Sequence, residues 1–207
     1  LKGRDALKAS WDKGAVPAMD NAYIEKTMLA DLDRPGAKVR DTGDARKALA
    51  DASLTLDATY FVPFVAHATM EPMNCTVQVV DGTVRVWAPV QAPQAAIAAA
   101  ARASNVKSAA VELVVPMLGG GFGRRLDVDF VFQAVAIAAQ ASGRPVQMIW
   151  TREQDLRHDF YRPAATAQLR AGIDGQGKLL SLDLKVASEW AGRLLHFDCR
   201  RGVVFHN

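Results

Sequence analysis

The sequence predicts an α+β fold in which antiparallel hairpins form a sheet with helices packed on one face. Three observations carry that expectation. Residues 76–80 and 83–88 are rich in β-branched side chains and are separated only by Asp81-Gly82, a two-residue hairpin signal. Residues 164–173 and 178–190 flank a second turn, Asp174-Gly175-Gln176-Gly177. Between the hairpins lie two apolar helix patterns, at 95–103 and 126–142, which need a sheet face to cover.

Taken in order, residues 1–17 mix charges with small apolar side chains and read as the tail of a preceding unit. Asp20 can cap a short helix carrying Ala22, Ile24, Met28 and Leu29, which Pro35-Gly36 ends. A second short helix is expected over 44–52, following Gly43. Leu54, Leu56, Ala58 and Tyr60 then alternate with Thr55, Asp57 and Thr59, the period of a half-buried strand. After the first hairpin, Pro93 suits the first turn of an alanine-rich helix that ends near Asn105. Residues 111–115 form the next strand. The helix at 126–142 is apolar nearly all round, hence buried, with Asp127 and Asp129 in its first turn facing the favourable end of its dipole. A strand over 146–150 leads into a polar connection, 151–163, in which charged and aromatic residues interleave as they do in binding loops and in plain solvated ones. The domain boundary is placed after residue 43.

Composition narrows the function. With 207 residues, half of them apolar, the chain can build one sizeable core or two small ones. A net charge of +3 from scattered basic residues gives no basic face for nucleic acid. Cys75 and Cys199 lie far apart, without zinc-ligand or disulfide-framework spacing. No apolar run reaches membrane-spanning length. The chain opens on Leu1 and stops at His206-Asn207, and it reads as a piece of a longer protein.

The chemistry concentrates in Gly119-Gly120-Gly121-Phe122-Gly123-Arg124-Arg125, between a strand and a helix. Clustered glycine implies positive φ or close backbone approach, and Phe122 stands where a merely flexible linker would carry serine. Amides here and at the following helix start would face a bound anion. The dinucleotide and phosphate-loop fingerprints both fail on spacing, and a tight turn without a ligand explains the loop alone about equally well. Gln91, at the junction between a strand and the 95–103 helix, can aim an amide at a ligand or serve as an ordinary loop amide. Glu71, in an apolar stretch, reads as a side chain bonded to amides of its own turn, and His67 as a satisfied structural histidine.

Three signals stand in fixed order: His67-Ala68-Thr69-Met70-Glu71-Pro72, Val90-Gln91-Ala92-Pro93 and the glycine loop through Arg125. With Trp150-Thr151-Arg152-Glu153 and His158-Asp159-Phe160-Tyr161-Arg162-Pro163, this set resembles the molybdenum-binding large subunit of the xanthine dehydrogenase and aldehyde oxidase family. The arginine pair looks most like its isoquinoline 1-oxidoreductase and aldehyde dehydrogenase branch. The resemblance implies that 44–207 is part of a molybdenum cofactor-binding domain. It implies hydroxylation of aldehydes or N-heteroaromatics with oxygen drawn from water, and electrons leaving through iron–sulfur clusters. By position it assigns Gln91, Gly120, Gly121, Phe122, Gly123 and Arg124 to cofactor binding and Arg162 to substrate. The family's base, a glutamate near the end of the large subunit, has no counterpart here, so no catalytic residue and no direct metal ligand is expected. The implied cofactor is a molybdopterin, in its cytosine dinucleotide form. The implied partners are a small [2Fe-2S] subunit and a cytochrome acceptor, in a bacterial protein of periplasm or cytoplasm. A fragment of this kind is expected to be inactive alone. The competing expectation is a small non-redox α+β module that binds an anionic ligand at the glycine loop.

Overall fold

The computed structural model describes residues 6–12, 14–15, 20–38 and 40–188. These form two compact units: one takes in the residues up to Pro63 together with Ala165–Ser188, and the other runs over Phe64–Ala164. The division therefore falls at Pro63 and Ala165, where the sequence had suggested Gly43. The reason is long-range pairing: β1 (Leu54–Val62) pairs along its whole length with β6 (Ala165–Ile173).

In the first unit, β1, β6 and β7 (Leu179–Ser188) make a three-stranded antiparallel sheet in that order. Asp174 shapes the β6–β7 turn by accepting from the amides of Gln176 and Lys178, both at 2.9 Å. Helix α1 (Asn21–Asp31) starts at the expected cap, where Asp20 Oδ1 accepts from the Tyr23 amide at 2.8 Å. Helix α2 (Ala45–Ala50) starts likewise at Asp44, which accepts from the Lys47 amide at 3.0 Å. One expectation fails here. Leu54, Leu56 and Tyr60 of β1 are exposed, because alternation specifies a strand but not what lies over it, and β1 is an edge strand. Residues 189 and 190 of the expected last strand lie outside the described residues.

The second unit holds a four-stranded sheet in the order β4-β3-β2-β5. Strands β2 (Asn74–Val80) and β3 (Thr83–Trp87) form the expected hairpin, with Asp81 and Gly82 both at positive φ (47° and 76°). Helix α3 (Pro93–Ser104) then carries the chain over to β4 (Val111–Val114), which runs parallel to β3. Helix α4 (Asp129–Ala138) leads to β5 (Val146–Ile149), antiparallel to β2. The two hairpins thus belong to two sheets, not one: β6 pairs with β1 and β7, and β2 with β3 and β5. The α+β class stands, with mostly antiparallel pairing.

The core of this unit shows why its helices share a face. Alternate residues Cys75 and Val77 of β2 and Val84 and Val86 of β3 meet Ala96 and Ala100 of α3 and Phe130, Val131, Ala134 and Val135 of α4 in one buried cluster. Alanine on α3 lets that helix approach closely, while the larger side chains of α4 fill the space beneath. Burial pushes the Cys75 thiol up to about 12, so it is an inert core residue. Among the described residues no helix is long and apolar enough to cross a membrane.

Candidate functional site at the glycine loop

The loop joins β4 to α4, and its glycines answer separate demands. A Cβ on Gly121 would fall 2.6 Å from Gln91 Oε1, so only glycine lets the glutamine side chain lie against the loop. Gly123, at φ 105°, occupies backbone space that side chains rarely enter. Phe122 is held at φ 52° although it is not glycine, and its ring stays 63% exposed. Strain of this kind persists only where surrounding contacts over-determine it.

Those contacts begin with Gln91. Its backbone amide donates to the Arg125 carbonyl at 2.9 Å. Its Oε1 accepts from the amides of Gly123 (3.1 Å) and Arg125 (3.2 Å). Two N–H donors on one atom require that atom to be the oxygen, which leaves Nε2 to present donors elsewhere. Gln91 and the glycine loop thus lie against one another.

Arg125 is 0% exposed. Its Nε donates to the Gly120 carbonyl (2.7 Å), Nη1 to the Pro89 carbonyl (3.1 Å), and Nη2 to both the carbonyl and Oε2 of Glu71 (2.8 Å each). Burial pushes the guanidinium below its ordinary value, and the Glu71 carboxylate opposes that. Glu71 Oε2 also accepts from the Gly119 amide at 2.8 Å, and Oε1 from Asn74 Nδ2 at 2.8 Å. Glu71 is therefore structural, as expected, but its partners are the Gly119 amide, Arg125 and the Asn74 side chain, not backbone amides of its own turn.

Arg124 turns a different way. Its side chain is 1% exposed and forks onto Asp129, with Nη1–Oδ1 2.9 Å and Nη2–Oδ2 3.1 Å. Its Nε lies 3.2 Å from Asp159 Oδ1, close enough for an ion pair though not aligned as a hydrogen bond. The guanidinium also lies over the rings of Trp150 (5.5 Å) and Phe160 (5.2 Å). Asp159 further accepts from the backbone amide and the Nδ1 of His67. The Arg124 side chain is thus taken up inside the unit, which leaves the backbone as this residue's contribution to the loop. Arg162 does reach the loop, donating from Nη2 to the Phe122 carbonyl at 3.3 Å, so in this structure it supports the backbone.

Residues 151–163 are not simply a loop. Thr151 and Gln154 form a reciprocal capping box that starts α5 (Arg152–Arg157). The Thr151-x-x-Gln154 spacing was the available signal. Arg125, the most heavily bonded residue of the site, escaped the sequence reading, because no local pattern distinguishes it from Arg124.

Among the described residues no three His, Cys, Asp or Glu side chains gather as metal ligands. What the loop offers is hydrogen-bond donors: Gln91 Nε2, and the amides of Gly120, Gly121 and Phe122, which no described residue engages. Residues 31–194 match the family model described as the molybdopterin cofactor-binding domain. The chain belongs to that family.

The molybdopterin cofactor-binding domain found here is 27% identical over 192 residues to the membrane-bound aldehyde dehydrogenase (pyrroloquinoline-quinone) of Gluconacetobacter polyoxogenes, covering 92% of this chain and 25% of that protein. It is 32% identical over 133 residues to isoquinoline 1-oxidoreductase subunit beta of Brevundimonas diminuta, covering 63% of this chain and 17% of that one. Among solved structures, quinoline 2-oxidoreductase from Pseudomonas putida 86 superposes with a TM-score of 0.58 at 21% identity, over 69% of this chain and 18% of its own, which shows a shared fold. The chain spans a quarter or less of the length of these relatives. A molybdopterin fits what the loop presents. Its phosphate and oxo oxygens are acceptors, and the free donors and the exposed Phe122 ring together make a surface for an acceptor-rich, partly planar group.

Proposed function

We propose that this chain is the glycine-loop part of a molybdenum hydroxylase large subunit, and that the whole protein oxidises aldehydes or N-heteroaromatics with water as the oxygen source. The carrying observation is the orientation of Gln91: with Oε1 held by two loop amides, Nε2 is left to donate to an acceptor oxygen above the loop. When bound, the molybdenum cofactor supplies the two-electron oxidation of a carbon–hydrogen bond. The chain's own residues bind and orient it. Gln91 and the loop amides donate hydrogen bonds, Phe122 covers one side, and Arg162 holds the Phe122 carbonyl in place. We assign the cytosine dinucleotide form of the cofactor, and a [2Fe-2S] partner subunit that passes electrons on to a cytochrome. Names among the relatives support the substrate classes, since one is an aldehyde dehydrogenase and another an isoquinoline oxidoreductase.

The test uses the full-length subunit expressed with its iron–sulfur partner in a host that makes molybdenum cofactor. Metal content, dye reduction with aldehydes and with isoquinoline, and incorporation of heavy oxygen from labelled water are measured together. Near-stoichiometric molybdenum with labelled product is expected, and Gln91→Ala should lower turnover more than metal content. A purified enzyme that turns over with a bound quinone and no molybdenum would overturn the reading. The 207-residue chain alone is expected to show no turnover.

A further inference from the structure

We infer that Arg125, braced by Glu71, is the positioning residue that sets which end of the Gln91 amide faces the ligand. The inference rests on the reading of Gln91 as the residue facing the cofactor, but the clamp itself can be tested without cofactor.

A glutamine amide has nearly the same shape whichever way it is turned, so shape alone does not choose between presenting donors and presenting an acceptor. Here the choice is made by two amides, of Gly123 and Arg125, that meet on one atom of Gln91. For both to reach it, the segment carrying Gln91 and the segment 123–125 must keep a fixed separation. Arg125 spans that separation. Its backbone carbonyl accepts from the Gln91 amide, and its guanidinium holds the carbonyl of Pro89, two residues before Gln91. The same guanidinium holds Gly120 in the loop and Glu71 on a third segment. Glu71 closes the clamp by also holding the Gly119 amide. Four acceptors on three segments match the planar fork of arginine, whereas a lysine ammonium is a point charge with three donors. The burial of this arginine beside a loop of free donors therefore serves the polarity of the site as well as its stability.

The experiment is amide hydrogen exchange by NMR on the 207-residue chain, comparing the unaltered protein with Arg125→Lys and Glu71→Gln. In Arg125→Lys, exchange at Gly123 and Arg125 position amides should quicken by about tenfold or more, and the side-chain amide signals of Gln91 should shift. The amides of Val135 and Ala138 in α4 should change much less, because a general loss of stability would move them together with the loop. Glu71→Gln should give the same pattern at smaller size. Unchanged exchange at 123 and 125 in a folded variant overturns the proposal, as does a rise matched at Val135 and Ala138. Should Arg125→Lys fail to fold, Glu71→Gln carries the decision by the same comparison. Failure of the functional reading looks different: the unaltered full-length subunit would lack molybdenum while the exchange result stood.

Discussion

Asp159 accepts from His67 at both the backbone amide and Nδ1, the latter at 2.9 Å, which ties the start of the second unit to a residue 92 positions later. The same carboxylate lies 3.2 Å from Arg124 Nε. Both side chains are nearly water-free, so this attraction adds to the hydrogen bonds each makes elsewhere, Arg124 to Asp129 and Asp159 from His67. Replacing Asp159 by alanine leaves Arg124 with Asp129 alone and should cost about 3 kcal/mol of unfolding free energy. Urea unfolding measures this, and Asp159→Asn, which keeps one acceptor, should cost less.

Gly121→Ala tests the close approach of Gln91. The new methyl would sit 2.6 Å from Oε1, so the amide must move while the fold stays. A loss of about 1–2 kcal/mol in stability is expected from the broken hydrogen bonds. In the full-length subunit, bound molybdenum per subunit should fall by about tenfold, a loss out of proportion to the change in melting temperature.

Asp127 gives a pH dependence. Burial raises its carboxyl above the ordinary range, and the Arg124 charge opposes that. A carboxyl raised on folding favours the folded state while it is protonated in both states. That contribution is lost as pH rises through the folded value. Asp127→Asn should therefore raise the melting temperature at pH 7 by about a degree or two and leave it unchanged in strong acid. The group is only half-buried, so solvent screening keeps the effect small. A lower melting temperature for the variant at pH 7 would mean that attraction to Arg124 outweighs burial.

Thr151→Ala removes the hydroxyl that accepts from the Gln154 amide. Helix α5 has only six residues, so it depends on its cap more than on its own hydrogen bonds. The expected cost is about 1 kcal/mol. Thr151→Ser should recover most of it, as read by thermal unfolding.

Much of the local structure was legible because its causes lie within a few residues. Asp20 and Asp44 cap helices through amides three positions on. Asp81-Gly82 turns a hairpin because those two residues tolerate positive φ. Pro93 opens α3, and Asn105 closes it in the left-handed region. The burial of β1 and the number of sheets were not legible, because both depend on which distant strand comes alongside.

The candidate site divides in the same way. By itself, the sequence determined that a glycine-dense turn stands between a strand and a buried helix, and that Gln91 precedes it at another strand–helix junction. Which of two adjacent arginines does what was decided only by the tertiary structure. Chemically Arg124 and Arg125 are identical, yet the short 3₁₀ turn Arg124–Leu126 points their side chains at different segments. One finds Asp129 and Asp159; the other finds Glu71, 54 residues earlier in the chain. A buried guanidinium requires counter-charges and acceptors, and only the folded chain determines which of them are within reach.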